Sequence, residues 1–199
     1  MQLTERQTDA LTELINIGYA RAAGALSELT GHRILMEVPQ VSIHPIHEIG
    51  ALLGRFIVGE IASVHQVFSG PVGGNALLLL DQEAAMLLNQ LLTNEPATPG
   101  ERMLDASARE VLTEVGNIVL NACLGVFGNL LHVQVSFAVP RLHVESLDDV
   151  LGSIMVDHQE LHYGLTVQTK FSLRNSNVSG YLVIVLGVTS LDRLLEEVQ

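Results

Sequence analysis

Apolar residues recur at helical spacing in two long segments of the chain. The first segment runs from Leu11 to Leu29 and is followed by Gly31, and the second runs from Val111 to Val126 and is followed by Gly128. Because residues three and four positions apart share one face of an α-helix, both segments are predicted to be amphipathic helices. A glycine directly after such a pattern favours helix termination there.

Strand-like patterns follow each of these helices. Each half then continues with an extended stretch that contains one proline, two strands joined by a turn, and a second helix. The order in each half is therefore predicted to be helix, strand, strand, strand, helix. Between the halves, residues 93–102 (TNEPATPGER) contain two prolines and a glycine, which is typical of an exposed linker.

The two halves also share three residues at a constant offset of 101 positions (114 − 13, 117 − 16 and 140 − 39). The matched pairs are Glu13 and Glu114, Asn16 and Asn117, and Pro39 and Pro140. This repetition indicates an internal duplication, with repeats at about 1–95 and 103–199. We expect an α+β fold in which both repeats contribute strands to one pseudo-twofold symmetric sheet with helices packed on it, so that residues 1–199 form a single domain.

Composition removes several classes of function. The formal net charge is −12 and the isoelectric point is about 4.9, so nucleic acid and anionic lipid surfaces are unfavourable partners. The one cysteine, Cys123, fits a reducing compartment. The N-terminus lacks a signal-peptide pattern, and the longest apolar run is far short of the roughly 20 residues that a bilayer requires. We therefore predict a cytoplasmic protein that does not insert into membranes.

Each long helix carries a polar stripe. Residues at i, i+4 and i+7 share one helical face, and these positions hold a carboxylate, a second carboxylate and an amide in both repeats. The stripes are Asp9, Glu13 and Asn16 in the first repeat, and Glu110, Glu114 and Asn117 in the second. A solvated helix face would explain either stripe alone. However, asparagine is a poor residue for the middle of a helix, so its recurrence indicates a function.

The spacing Asp/Ser-x3-Glu-x2-Asn-x22-Pro, present twice, resembles the CheC/CheX/FliY family of chemotaxis phosphatases, and most closely its CheC members. Asp9, Glu13, Asn16 and Pro39 match every specified position of the first copy. In the second copy Glu110 departs from the pattern, because it occupies the place of Asp or Ser. The flanking sequences NIGYARAAGALSELTG and EVGNIVLNACLGVFGNLL extend the resemblance.

This resemblance implies hydrolysis of the aspartyl phosphate on a CheY-type response regulator. Asn16 and Asn117 would position the attacking water, and Glu13 and Glu114 would anchor the regulator. The Mg²⁺ ion is expected on the regulator, and no cofactor or metal is expected on this chain. A monomer is expected. The alternative is a non-catalytic adaptor that binds the regulator or the receptor deamidase CheD.

Other residues leave alternatives open. Asp9 and Glu110 are either rim contacts to the regulator or ordinary exposed acids, and Pro39 and Pro140 are expected to shape a strand edge rather than touch substrate. It is also open which of the two sites dominates. Glu110 departs from the family pattern, which favours the first copy. Gly116 matches the family sequence where the first copy has Ile15, which favours the second copy.

One histidine pair has a spacing found in metal sites. His44 and His47 are three positions apart, but Pro45 lies between them and no second ligand pair follows. A turn or edge strand with exposed histidines is the preferred interpretation.

Overall fold

The structure is a computed structural model that describes residues 3–94, 103–155, 162–173 and 175–197, without the side chains of Val38 and Pro39. Its elements, in chain order, are α1 (Glu5–Thr30), β1 (Ile34–Pro45), α2 (Ile46–Leu53), β2 (Glu60–Ser69), β3 (Gly74–Asp81), α3 (Gln82–Thr93), α4 (Ala106–Leu130), β4 (Ser136–Phe137), β5 (Arg141–Ser146), α5 (Leu147–Met155), β6 (His162–Leu173), β7 (Ser176–Gly187) and α6 (Val188–Glu197).

The long helices begin at residues that satisfy free backbone N–H groups. Thr4 and Gln7 form a capping box at the start of α1, and the Asp105 carboxylate accepts a hydrogen bond of 2.7 Å from the Ala108 N–H at the start of α4. At the other end of α1, Gly31 adopts the left-handed conformation (φ 69°), as predicted. These caps define where the helices that carry the polar stripes begin and end.

The prediction that Gly128 follows the second helix is wrong. Helix α4 continues to Leu130, and Gly128 is a buried helical residue. A Cβ atom on Gly128 would lie 3.3 Å from both Val133 O and Val135 Cγ2. The glycine therefore allows the segment after the helix to pack closely on α4 and does not terminate it.

All strand pairs of the sheet are antiparallel, and both halves contribute to it. The order is β1-β6-β7-β3-β2-β4, and β5 also pairs with β2. The strands that follow the long helix in each half pair with the hairpin of the other half, since β1 lies beside β6, and β4 and β5 both lie beside β2. The central strands β3 and β7 come one from each half. The predicted α+β fold with one shared, pseudo-twofold sheet is confirmed.

Both faces of the sheet are covered. In its central strands, the residues that point to one face and those that point to the other are buried alike. On β3, Leu78 packs in the cluster that contains α1, α4, α3 and α6, and Leu77 and Leu79 pack in the cluster that contains α2 and α5. Near-continuous burial of this kind is typical of a strand with a hydrophobic layer on each side.

Helices α2 and α5 were absent from the predicted element order, which is a correction. The first half contains helix, strand, short helix, strand, strand, helix, and the second half has the same order except that two strands, β4 and β5, precede its short helix. The segment Leu147–Met155 is α5 and has its counterpart in α2. In the predicted linker, Thr93 is the last residue of α3 and Asn94 is its C-cap, whereas residues 95–102 lie outside the described part of the chain.

By length and composition alone, helix α4 is long and apolar enough to cross a membrane. This differs from the expectation that was based on the longest uninterrupted apolar run of the sequence. Its apolar side chains, among them Leu112, Val119 and Leu120, are buried in the same cluster as α1 and the sheet. A central helix of a folded core has the same composition as a membrane span. In this structure the packing of α4 explains its hydropathy.

Candidate functional site

The polar stripes lie where α1 and α4 face away from the core. Leu11, Ile15 and Tyr19 are fully buried on the opposite side of α1, so Glu13 and Asn16 are exposed. On α4, burial of Leu112, Val115 and Val119 leaves the stripe outward in the same way. The exposed stripe residues are Asp9, Glu13, Asn16, Glu110 and Glu114. Asn117 is partly buried.

None of the four stripe carboxylates forms an ion pair with another residue in the part of the chain that the structure describes. The ion pair found there is Lys170 with Glu37, and His47 lies 3.9 Å from Glu48; these residues lie on other elements. Exposed and unpaired carboxylates four residues apart repel each other on a helix. They are therefore available to a cationic partner, and a neutral amide stands at the end of each row.

The two asparagines have different surroundings. The Asn121 Nδ2 donates a hydrogen bond of 2.7 Å to the Oδ1 of Asn117, one helical turn earlier. The equivalent position of the first repeat is Ala20 (121 − 101), and no described side chain is hydrogen-bonded to Asn16. Sequence analysis missed Asn121, although its spacing of four residues from Asn117 was a usable signal.

Gly116 and Ile15 do not face a partner, which corrects the argument that Gly116 favours the second site. Ile15 is fully buried, and Gly116 is buried against β2. A Cβ atom on Gly116 would lie 2.4 Å from Val64 Cγ1. Gly116 therefore sets how closely α4 approaches the sheet, and it provides no basis for ranking the two sites.

Pro39 lies in β1, an edge strand of the described sheet. The pairing shifts around it: Glu37 is opposite Lys170 and Gln40 is opposite Gln168, so three steps on β1 match two on β6. The extra residue forms a bulge, which suits a residue that lacks an N–H. The side chain of Pro39 lies outside the described part.

Pro140 lies directly before β5, at the corresponding irregularity. Phe137 is opposite Phe68 and Arg141 is opposite His65, so four steps match three on β2. Each proline thus stands where one extra residue interrupts the pairing of a first strand. Neither lies on the helices that carry the stripes.

The two histidines of the pair lie on different elements. His44 ends up on β1 and His47 on α2, where it lies 3.9 Å from Glu48 and is exposed. Among the described residues, no group of three or more His, Cys, Asp or Glu could hold a metal ion. The two stripes offer carboxylates and amides, which can bind and orient other groups.

A separate cavity of about 550 Å³ lies on the α5 side of the sheet. It is lined by His65, whose Nε2 lies 2.8 Å from Asn75 Oδ1, and by residues of α5 and α6. Its lining contains no residue of either stripe, so it does not belong to the predicted site.

Comparisons with known proteins agree with the motif. A sequence model of the CheC-like family matches residues 7–43, which contain the first stripe and Pro39. The CheY-P phosphatase CheC of Bacillus subtilis is 24% identical over 169 residues, which cover 84% of this chain and 80% of that protein. CheC1 of Halobacterium salinarum is 24% identical over 173 residues, covering 87% and 86%.

The fold agrees as well. The crystal structure of FliY from Thermotoga maritima superimposes with a TM-score of 0.79 at 20% identity, and the match covers 100% of this chain and 98% of that chain. In both its doubled motif and its fold, the chain is similar to members of the CheC/CheX/FliY family.

Proposed function

We propose that this protein is a phosphatase that hydrolyses the aspartyl phosphate of a CheY-type response regulator. The observation that carries the proposal is the same Glu-x-x-Asn pattern on the outward faces of two helices, with glutamates that form no ion pair with a described residue. The name of the B. subtilis relative, CheY-P phosphatase CheC, supports it.

The proposed role of the asparagines is to position water. An acyl phosphate is already reactive, and a receiver domain brings its own Mg²⁺ ion and a lysine to the phosphoryl oxygens. The remaining requirement is a water molecule in line with the phosphorus. The carbonyl of Asn16 or Asn117 accepts a hydrogen bond from that water, and its NH₂ group donates to a neighbouring oxygen. A neutral amide does not accept the proton of the attacking water, so neither asparagine acts as a general base.

The proposed role of the glutamates is to hold the regulator. Glu13 and Glu114 lie one turn before the asparagines and have no partner of their own among the described residues. A charge-assisted hydrogen bond to the receiver lysine would fix the distance between phosphorus and amide. Asp9 and Glu110 would extend the contact at the rim.

The prolines act indirectly in this proposal. Pro39 and Pro140 shape the bulged first strands and do not touch the phosphoryl group. The proposed working form is a cytoplasmic monomer with no metal of its own.

The decisive measurement follows the loss of phosphate from a phosphorylated CheY-type receiver. The variants are Asn16→Ala, Asn117→Ala and the double variant, with Asn129→Ala as the matched control because Asn129 is exposed on α4 outside the stripe. We expect each single variant to retain the activity of the other site. We expect the double variant to fall to the rate of receiver autohydrolysis, and the control to match the wild type.

The opposite result has a clear meaning. If the wild type never exceeds autohydrolysis with a cognate receiver but binds it, the protein is an adaptor. Binding of CheD measured in parallel then identifies which of the two adaptor partners the helix faces serve.

A further inference from the structure

We infer that Asn121 is a positioning residue that pre-orients the amide of Asn117, so that the second site is organised before a regulator binds and the first is not. This inference rests on the proposed function of Asn117. Its basis is the 2.7 Å hydrogen bond from Asn121 Nδ2 to Asn117 Oδ1.

The geometry restricts one side chain and not the other. An asparagine has two rotatable side-chain bonds, so an amide without a partner samples several orientations. Asn16 is exposed and has no side-chain hydrogen bond to a described residue, and Ala20 one turn later has no donor to offer. Asn117 is partly buried and its carbonyl oxygen is held by Asn121.

The hydrogen bond leaves the catalytic edge of the amide available. A carbonyl oxygen has two lone pairs, and Asn121 uses one of them, so Oδ1 of Asn117 can still accept from a water molecule. Both N–H groups of Asn117 remain free of described partners. The same contact also polarises the Asn117 amide, since donation to its carbonyl makes its N–H groups better donors.

Asn121 does not gain a complete set of hydrogen bonds for itself. Its Oδ1 is buried and accepts no hydrogen bond from the described residues. Asparagine is also a poor helix former, and it sits deep within α4. Its one side-chain contact of this kind within the described chain is the one to Asn117, which is why we assign it a role through that residue.

A spectroscopic test does not depend on phosphatase activity. The order of the side-chain NH₂ groups is measured by ¹⁵N relaxation in the free protein. We expect the side-chain NH₂ group of Asn117 to be more ordered than that of Asn16. Asn121→Ala should reduce the order of the Asn117 NH₂ group to that of Asn16, and Ala20→Asn should raise the order of the Asn16 NH₂ group. Ala20 is exposed, so its replacement is compatible with folding. Equal order of Asn16 and Asn117 in the wild type would overturn the inference.

The kinetic test uses each site alone. In an Asn16→Ala background, Asn121→Ala should lower kcat roughly 10-fold with little change in KM, since misorientation of a reacting group affects the chemical step. In an Asn117→Ala background, Ala20→Asn should raise kcat at the first site. Thermal unfolding of each variant shows whether the fold is retained.

The outcomes separate the two proposals. A wild type that does not exceed autohydrolysis contradicts the phosphatase assignment, and the relaxation experiment still reports on Asn121. An active wild type with an Asn16→Ala variant at the autohydrolysis rate contradicts a working second site and overturns the inference. An unchanged kcat after Asn121→Ala in that background also overturns it.

Discussion

Gly18 of α1 and Cys123 of α4 bring the backbones of the two long helices into close contact. A Cβ atom on Gly18 would lie 2.9 Å from the Cα and 3.0 Å from the Sγ of Cys123. These two helices carry the stripes on their exposed sides. The contact therefore fixes one candidate site relative to the other from inside the core.

Gly18→Ala is expected to destabilise the protein, because the new methyl group has to displace α4. Overpacking of this kind costs about 1 to 3 kcal/mol in the free energy of unfolding, measured by urea denaturation. Gly24→Ala is the matched control on the same helix, since a Cβ there has no neighbour within 4 Å. It should stabilise by roughly 0.5 to 1 kcal/mol through helix propensity. Equal effects of the two substitutions would contradict this account.

Gly116→Ala is expected to reduce both stability and activity of the second site. Its methyl group would meet Val64 Cγ1 at 2.4 Å, and the displaced segment of α4 carries Asn117. In an Asn16→Ala background we expect phosphatase kcat to fall by about 10-fold or more, because a displacement of a reacting group by about 1 Å lowers the rate of the chemical step.

Gly125→Ala on the same helix is the control, because a Cβ there meets nothing within 4 Å. Val64→Ala removes two of the three close contacts and should restore part of the lost activity of Gly116→Ala. An active Gly116→Ala variant would show that the position of α4 does not limit the second site.

Glu13→Gln combined with Glu114→Gln is expected to weaken regulator binding. A hydrogen bond to a charged group contributes about 1.5 to 3 kcal/mol, so KM should rise about 10-fold or more. The wild-type KM should rise with ionic strength more steeply than that of the variant, because salt screens the lost attraction. Glu28→Gln, an exposed position of α1 outside the stripe, should leave KM unchanged.

The thiol of Cys123 is expected to be unreactive in the folded protein. Its side chain is 1% exposed, and burial raises its pKa well above the ordinary value. Reaction with an aromatic disulfide reagent at pH 8 should be negligible in buffer and complete in denaturant. Since this is the one cysteine of the chain, the colour change reports a single site. Rapid labelling of the native protein would mean that α1 and α4 separate readily.

Stability is expected to fall at alkaline pH. Burial also raises the pKa of Tyr19, so both Tyr19 and Cys123 keep their protons in the folded chain at pH values where the unfolded chain loses them. Their contribution to the free energy of unfolding is complete at pH values below the ordinary pKa of 9.0 for cysteine and 10.0 for tyrosine. It is lost progressively as the pH rises above these values.

Denaturation at pH 8 and at pH 10.5 measures this loss, which approaches about 1.4 kcal/mol per pH unit for each group. Cys123→Ala should remove the part that begins near pH 9. A flat profile would show that the two groups ionise equally in the folded and unfolded states.

The long helices were predictable because a wide apolar face makes apolar residues recur in the sequence at helical spacing. Helices α1 and α4 each have more than 20 residues, so their pattern repeats over several turns. The polar stripes followed from the same period. The pseudo-twofold sheet followed from the duplication, since two equal units with unpaired strands pair most simply about an axis.

The missed features depend on tertiary contacts. Helices α2 and α5 have 8 and 9 residues, which is too short for helical period to be distinguished from a strand end. Gly116 shows its role only against Val64, which is distant in the chain. The orientation of Asn117 depends on Asn121, and a sequence does not show side-chain rotamers.

The exchange of first strands between the halves has a consequence for how the protein evolves. Because β1 pairs with β6 and β5 pairs with β2, neither half closes its own part of the sheet. Two separate copies of one half would have to exchange these strands between molecules, and every mutation would then appear at both sites at once. Joining the halves in one chain keeps the exchange and frees each site to change alone, which is how one asparagine gains a neighbour that the other lacks.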